Sequence, residues 1–411
     1  MIKYKNRKTA KRIIFLVMFS WTFFNGAYAN INAPLLRSIA EAQGFTNEIM
    51  VNYIATIANL AMVAANIFLS VIGGKKMNMR MWAVVAGVLT MGGGVGTILL
   101  SGNLNAMIFA RFFVGFGAGV GCLIAGAVLP FYFEGKELAT VLGVVTAGSG
   151  FWGFIFSNLS GVLNASYGWK ASYMLYCYAI IPVILFLVFV PKEKFIEVPE
   201  KAIDKLKETD KKEKKERELN PQVIIYIVLA FLVYLMIQLM WSNISTWIAE
   251  PPINATLVQV GLAASIMPLA SFIGRALNGP IYNKIGRFSL HLFYAMLLMG
   301  LILGVVATTF NLSLVAIFLV GATMGLAHPV VTLLAIKTSP RGQVRAQALI
   351  LAGENLGNFF STQWRVYINR LSDGTLRSAF HINAYFVGAV LVLCFIGTFI
   401  LMKMEKKQQI A

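Results

Sequence analysis

The chain has 411 residues, of which 58% are hydrophobic and only 13% are charged, and its mean hydropathy is +0.72. This composition is too apolar for an ordinary soluble domain, so it excludes a soluble enzyme. The formal net charge of +18 is also compatible with a nucleic-acid-binding protein, but the Lys and Arg residues lie in short clusters between apolar runs and form no continuous basic face. We therefore expect most of the chain to lie in lipid.

Twelve apolar runs bounded by polar turns follow one another along the chain, and a membrane-spanning helix needs about 20 such residues. The first run, from Ile13, continues through the polar stretch from Asn25 to Asn32, which indicates a retained helix and not a removed signal peptide. The pattern predicts an all-α membrane protein with twelve transmembrane helices. Their predicted centres are Phe23, Ala61, Gly92, Gly119, Gly150, Ile181, Leu232, Ile266, Leu298, Thr323, Ala352 and Leu391.

One segment interrupts this pattern, because Lys192 to Asn220 is dense in Lys and Glu and contains too little apolar surface to span a membrane. We interpret it as a cytoplasmic linker. It predicts three parts: an N-terminal six-helix bundle (1–191), the linker (192–220) and a C-terminal six-helix bundle (221–411). The halves also resemble each other, since the turns at Gly135 and Gly342 have the same sequence separation as the loop residues Arg80 and Arg287.

Basic residues are clustered in alternate loops, and the intervening loops hold few of them. By the positive-inside rule the clustered side faces the cytoplasm, so both termini are predicted to be cytoplasmic. The localisation that we expect is the bacterial cytoplasmic (inner) membrane. The clusters are Lys3 to Arg12, Lys75 to Arg80, Lys192 to Arg217, Lys284 with Arg287, Lys337 to Arg345, and Lys403 to Lys407.

Two stretches are similar to signatures of the major facilitator superfamily. Arg111 opens the pattern R-x-x-x-G-x-G-x-G in the fourth predicted helix, where glycines allow close helix approach. The loop after the eighth helix resembles G-x-[LI]-x-D-[RK]-x-G-[RK], with Asn283 in place of the acid. The resemblance implies two pseudo-symmetric six-helix bundles, alternating access, and a cytoplasmic gate that uses weaker hydrogen bonds than the family's charged one. Its gating-loop residues are Gly279, Asn283, Lys284, Gly286 and Arg287.

Polar side chains inside the predicted helices fall on those helices that, in this family, are expected to line a central cavity. Amides and charges are costly in hydrocarbon unless they are paired or face water. Glu354 is the one acid well inside a predicted helix, and Asn358 follows it on the same helical face. The candidate substrate-binding or coupling residues are Asn25, Asn30, Arg111, Gln238, Trp241, Asn243, His328, Glu354 and Asn358.

Each charged candidate has two interpretations. Arg111 is either a clamp on backbone carbonyls or a group that binds substrate or couples protons. Glu354 either pairs with a neighbouring helix or is a proton site, because a lone carboxyl in a membrane is rarely incidental. His328, beside Pro329, is either a packing residue at a kink or a ligand. Arg275, near the cytoplasmic end of the eighth helix, is expected to extend to the interface, with a cavity role as the alternative.

The sequence contains no G-x-x-x-x-G-K-[ST] loop, so a gradient and not ATP is expected to drive transport, with no cofactor or metal. We predict a proton-coupled secondary transporter for a small organic solute. An anion is favoured because cationic candidates outnumber the buried acid. The alternative, indicated by 18 Met and 30 Phe, is a broad-specificity drug or metabolite exporter working as a proton antiporter.

A membrane enzyme or a receptor is a third hypothesis from another class. The sequence offers no nucleophile–base pairing, no metal-ligand cluster and no sizeable extramembrane domain that would suit either role. The partners that we expect are a small-molecule substrate, protons and the lipid bilayer. Nucleic acid is not expected as a partner, and the protein is expected to act as a monomer.

Overall fold

The structure is a computed structural model that describes residues 7–76, 78–129, 132–133, 135–190, 222–338 and 343–410. Within these ranges the chain forms α-helices and short 3-10 segments and no strands. The predicted linker at 192–220 lies outside the described residues. The boundaries of the three predicted parts therefore stay predictions.

The α-helices of the described ranges are numbered in chain order, and two 3-10 segments, Met174–Ala179 and Gly286–Phe288, continue α8 and α12. The helices are α1 (Arg7–Trp21), α2 (Phe23–Asn30), α3 (Leu36–Gln43), α4 (Glu48–Lys76), α5 (Met79–Leu99), α6 (Leu104–Val128), α7 (Gly135–Tyr167), α8 (Trp169–Tyr173), α9 (Ile180–Phe189), α10 (Gln222–Trp241), α11 (Ile244–Ala249), α12 (Leu257–Ile285), α13 (Ser289–Val306), α14 (Phe310–Thr338), α15 (Gln343–Leu371) and α16 (Leu376–Ile410).

The helix ends in the loops are capped by short polar side chains. Asn78 accepts hydrogen bonds from the backbone N–H groups of Arg80 and Met81 at the start of α5. Thr256 and Gln259 form a reciprocal capping box at the start of α12. Such caps satisfy backbone donors that have no partner within the helix. The caps hold the helix starts at the membrane surface, and the long helices satisfy their own backbone groups in lipid.

Ten of the helical segments in the described part are long and apolar enough to cross a membrane. The remaining two long helices are α7 and α15, and α15 is the more polar because it contains Glu354 and Arg365. Three crossings are composite: α1 and α2 break at Thr22, α10 and α11 break at Ser242 and Asn243, and α8 reaches α9 through the 3-10 segment. Every predicted helix centre falls within one of these twelve crossings.

Two separate hydrophobic cores organise the molecule. One is formed by side chains between Ile14 and Val190, and the other by side chains between Val223 and Val387 together with Ala33. The halves meet along two pairs of helices, α4 with α15 and α7 with α12. At the second pair the backbones almost touch, since a Cβ added to Gly161 would lie 2.2 Å from the Cα of Gly261. The twelve-helix fold in two six-helix bundles is confirmed.

The crossings differ in how much of their surface is buried inside the protein. Among the ten apolar crossings, the third (α5), the sixth (α8 to α9) and the twelfth (α16) are the least buried inside the protein. Helices with little protein cover must present apolar side chains to lipid, and large exposed residues such as Val88, Ile184 and Leu393 do so. The more enclosed crossings are left to build the interior between the halves.

Candidate functional site

The most strongly buried acid of the interior is Glu354, and it is paired. Its Oε1 lies 2.8 Å from Nδ1 of His328, which joins α15 to α14. The Glu354 side chain is 7% exposed and the His328 side chain 23% exposed. A carboxyl and an imidazole in contact can share or exchange one proton, so this pair can change its net charge without moving helices.

Charged and phenolic groups from both halves share the interior with this pair. The charges of Glu354 and of Arg275 in α12 both act on Tyr28 of α2 and Tyr234 of α10. Such interactions extend over several ångströms, and the four groups make no hydrogen bond to one another among the described residues. We call this part of the interior the polar centre.

Arg275 of α12 lies at the interface between the two halves. It lies about ten residues before the end of α12 at Ile285, which is about 15 Å along the helix axis. Its Nη1 donates to the backbone oxygen of Thr146, at 3.1 Å, and to Oγ of Ser149, at 3.2 Å. Both acceptors belong to α7, so the guanidinium bridges the two halves.

The charge of Arg275 is not neutralised by a neighbouring acid. No carboxylate of the described residues lies within ion-pair distance of it, and its Nε is buried without a hydrogen-bond partner. The two acceptors of Nη1 are neutral groups. A half-buried guanidinium held in this way keeps most of its positive charge available to an anion that enters between the bundles.

Arg111 is fully buried and holds three other helices together. Its Nε donates to the backbone oxygen of Ile54 at 2.9 Å, and its Nη2 donates to that of Tyr28 at 2.7 Å. Its Nη1 donates to the hydroxyl of Tyr176 at 2.5 Å, and the rings of Tyr173 and Tyr176 lie beside the guanidinium. This geometry favours the clamp interpretation, because each of the three guanidinium nitrogens donates a hydrogen bond to a protein oxygen.

A seam of polar contacts closes one end of the interface. Oδ1 of Asn243, at the break between α10 and α11, accepts hydrogen bonds from Asn52 of α4 and from Arg365 of α15. The hydroxyls of Thr56 and Thr362 lie 2.9 Å apart. Gln363 donates to the hydroxyl of Tyr53 at 2.7 Å. We call these seven residues the outer seam, and they join the first third of α4 to the second half of α15.

A cavity of about 490 Å³ lies at the outer seam. It is lined by Asn52, Asn243 and Arg365 of the seam and by charged residues farther out, Arg37, Glu41 and Glu250. The short helix α3 and the turn after it, Gly44 to Thr46, supply most of its wall. This cavity is therefore separated from the polar centre at Glu354 by the seam.

The remaining polar candidates have different surroundings. The amide of Asn30 donates to the backbone oxygen of Gly26, while its Oδ1 is buried without a partner. Gln238 donates to Oγ of Ser242 at 3.0 Å. Trp241 is 6% exposed and packs in the C-terminal core, so it is a wall residue and not an accessible stacking surface.

Asn25 and Asn358 are the two remaining candidate amides. Asn25 is half-buried, and Asn358, one turn after Glu354, is 7% exposed. Neither side chain has a hydrogen-bond partner within the described ranges. Asn355, in contrast, donates to the backbone oxygen of Leu351. The face of α15 that contains Glu354 and Asn358 is thus the one with unused polar capacity.

The gating-loop residues lie at the end of α12. Gly279, Asn283 and Lys284 are exposed, and Gly286 ends the helix with a φ of 55°. The side chain of Arg287 is outside the described side chains. Neither Asn283 nor Lys284 makes a hydrogen bond to another described residue.

The profile of the Major Facilitator Superfamily matches residues 13–362. The chain belongs to the major facilitator superfamily. It is therefore a multi-pass membrane transporter that binds a small-molecule substrate, and it is not an enzyme. No curated protein sequence matches this transporter.

Solved structures share the fold of this transporter at low sequence identity. The nucleoside transporter NupG, in a mutant form, has a TM-score of 0.72 at 14% identity and covers 94% of this chain and 100% of its own. The peptide transporter POT in complex with sulfate has a TM-score of 0.72 at 12% identity, with 97% and 99% covered. The xylose transporter XylE from E. coli, in a partially occluded inward open conformation, has 0.70 at 12%, with 94% and 97% covered.

Sequence reasoning left Arg275 with two interpretations, and its contacts with Thr146 and Ser149 of α7 favour a place between the halves. Sequence reasoning also placed Arg111 among transport candidates, and the structure engages its donors within one half. The described geometry joins Glu354 to His328, with Asn358 one turn along the same helix, and places Asn243 in the outer seam.

Proposed function

We propose that this protein is a secondary active transporter that moves a small organic anion across the bacterial cytoplasmic membrane, coupled to protons, by alternating access. The observation that carries the proposal is the guanidinium of Arg275, which lies between the halves with neutral acceptors and no carboxylate among the described residues. An unpaired cation in low dielectric is costly. An anionic substrate removes that cost when it binds.

The balance of charge at the polar centre supports an anion more than a cation. Arg275 contributes a fixed positive charge, while the single acid, Glu354, already contacts His328. A cationic substrate would need a free carboxylate to offset the loss of its hydration. A neutral sugar or nucleoside would leave the charge of Arg275 unbalanced. These arguments separate the substrate proposed here from those named for the solved relatives XylE and NupG.

The His328–Glu354 pair is the proposed proton-coupling site. In this scheme Glu354 is ionised in the empty transporter and offsets part of the positive charge of the interior without forming an ion pair with Arg275. When a substrate carboxylate reaches Arg275, that balance is no longer needed and a proton binds at Glu354 or His328. Anion and proton then cross together with little change of charge in the centre. This scheme describes symport of one anion with a proton.

The conformation supports alternating access between the halves. The outer seam closes the end of the interface that loop charges assign to the outside, and Asn283 and Lys284 of the gating loop at the other end are exposed. We infer that the protein in this conformation faces the cytoplasm, with both termini on that side. Opening to the outside requires the seam to separate while the cytoplasmic ends of the helices approach. We take the monomer as the functional unit.

The test is uptake by purified protein in proteoliposomes, with and without a pH gradient, over a panel of carboxylates, neutral sugars and cationic dyes. We expect accumulation of one or more carboxylates only with the gradient. Arg275→Gln is expected to lower that uptake by about 10- to 100-fold, because a charge-assisted hydrogen bond is lost. Arg370→Gln is the matched control, since Arg370 is exposed at the end of α15.

Two outcomes contradict the proposal. Accumulation of cationic dyes with no uptake of any carboxylate would favour the alternative, a broad-specificity exporter. Equal uptake by the wild type and Arg275→Gln would show that the guanidinium does not bind substrate. If the wild type equilibrates a carboxylate equally with and without the pH gradient, the anionic substrate is still supported and the proton coupling is contradicted.

A further inference from the structure

A second polar site lies far from the transport centre, at the cytoplasmic start of the first crossing. A cavity of about 460 Å³ opens between α1 and the beginning of α7. Its wall contains three basic residues, Lys8, Lys11 and Arg12, and one acid, Glu137. The charged groups that line the cavity therefore sum to a net positive charge of two. The transport mechanism proposed above makes no use of this site.

The basic residues differ in how they are engaged. Lys11 pairs with Glu137 of α7 and lies 5.4 Å from the ring centre of Phe133. Arg12 is exposed, and its guanidinium has no hydrogen-bond or ion-pair partner in the part of the chain that the structure describes. Lys11 thus ties the two helices together, and Arg12 presents a free guanidinium at the cavity mouth.

Two apolar residues of the cavity, Leu16 and Val141, lie farther along their helices than the charges of the same helices. Lys8, Arg12 and Leu16 follow one another at i, i+4 and i+8, so they form one line along α1. Leu16 is 63% exposed, and Val141 of α7 lines the same cavity. The membrane-crossing part of this segment begins at Lys8, which places Leu16 about 12 Å deeper than Lys8. The cavity is positively charged at its cytoplasmic end and apolar at its inner end, which is deeper in the membrane.

From this arrangement we infer that the cavity binds an anionic phospholipid of the cytoplasmic leaflet. The phosphate lies at Lys8 and Arg12, and the acyl chains run past Leu16 and Val141. Charge complementarity selects the occupant, because the cytoplasmic leaflet is negatively charged and basic pockets between transmembrane helices bind anionic head groups. The apolar inner end distinguishes a lipid from a soluble anion, which would leave Leu16 without cover.

Lipid binding at this site has a mechanical consequence. The lipid contacts α1 and α7 at the point where Lys11 and Glu137 join them. Farther along its length, α7 is the helix that packs against α12 and accepts the hydrogen bonds of Arg275. A bound anionic lipid therefore holds the α1–α7 pair together as one unit while α7 moves against α12.

The test compares the purified full-length protein in neutral detergent with phosphatidylglycerol, phosphatidylcholine or inorganic phosphate added. Phosphatidylglycerol at about 100 times its Kd is expected to raise the Tm by about 3 °C, and phosphatidylcholine and phosphate are expected to leave it unchanged. Lys8→Gln with Arg12→Gln is expected to weaken phosphatidylglycerol binding by about 30-fold, measured by native mass spectrometry.

Lys170→Gln with Arg370→Gln removes the same charge at the opposite membrane face and is expected to bind phosphatidylglycerol like the wild type. Equal binding by both double variants would overturn the proposal, as would an equal Tm rise with inorganic phosphate. If the Lys8 and Arg12 variant does not fold, Arg12→Glu alone provides the comparison. A wild type that binds phosphatidylcholine equally well would show that charge does not select the occupant.

Discussion

His328 of α14 and Glu354 of α15 lie on successive helices of the C-terminal half, and Nδ1 of His328 lies 2.8 Å from Oε1 of Glu354. The Glu354 side chain is 7% exposed, so the contact lies in the interior of the protein. A proton that binds here changes the net charge of that interior, and this relationship generates the first prediction.

Glu354→Gln is expected to abolish substrate accumulation driven by a pH gradient while substrate exchange at equal pH continues. Gln keeps the size of the side chain and can still hydrogen bond to His328, but it cannot bind or release a proton. The measurement compares uptake driven by the pH gradient with counterflow exchange at equal pH in the same proteoliposomes. Loss of both activities would instead show that Glu354 supports the structure.

Asn355→Asp is the matched comparison for Glu354→Gln. Asn355 neighbours Glu354, but its amide donates to the backbone of its own helix, so a carboxyl there lies off the line that joins His328 to Glu354. Asn355→Asp is expected to leave the pH dependence of accumulation as in the wild type. A pH dependence that shifts in Asn355→Asp and not in Glu354→Gln would contradict the assignment of the proton site.

Much of this architecture follows from the sequence, and the reason is the membrane. Hydrocarbon requires long apolar helices, so all twelve predicted centres fall within crossings, including Gly150 and Ala352 in the two helices of lower hydropathy. The short helices α3 and α11 were not predicted, because eight and six residues are too few to show a helical period.

The polar sites were harder to predict than the helices. Buried polar residues such as Glu354 and Arg111 stand out in an apolar sequence, but their partners do not. Arg111 finds Ile54, Tyr28 and Tyr176 on three other helices, and the pairing depends on tertiary packing. The sequence therefore identified the polar groups that are costly to bury, and it left open whether their hydrogen-bond partners are protein groups or a solute.

Arg111→Gln is expected to destabilise the N-terminal half by about 3–5 kcal/mol, because two backbone oxygens and the Tyr176 hydroxyl lose a charged donor in the interior. We expect a lower Tm and less folded protein in the membrane. In the protein that does fold, the affinity for substrate is expected to be unchanged. Arg370→Gln, which removes an exposed guanidinium, is the control for the loss of charge. A variant with normal Tm and no substrate binding would reverse the clamp interpretation.

Gly161→Ala is expected to weaken the contact between the halves. A Cβ at this position would lie 2.2 Å from the Cα of Gly261, which is backbone and cannot rotate away. Overpacking of this kind costs about 1–3 kcal/mol. Differential scanning calorimetry and transport rates measure the effect. Gly92→Ala is the control, since nothing lies within 4 Å of a Cβ there; similar losses in both variants would mean that the Gly161 contact is not special.

Thr56→Val is expected to shift the transporter toward the conformation that is open to the outside. Val has the shape of Thr but leaves the buried hydroxyl of Thr362 without its partner at 2.9 Å, and an unsatisfied buried group costs about 1–3 kcal/mol. That cost falls only on the closed seam, so the open population rises by about tenfold or more.

The readout is the rate at which a membrane-impermeant maleimide labels Thr246→Cys, placed in the cavity at the outer seam, with Cys122, Cys177 and Cys394 replaced by Ser. Thr97→Val is the control, because its hydroxyl bonds within its own helix and not across the seam. Faster labelling with Thr56→Val alone fits a seam that separates during transport, whereas equal rates in both variants would show that the seam does not limit opening.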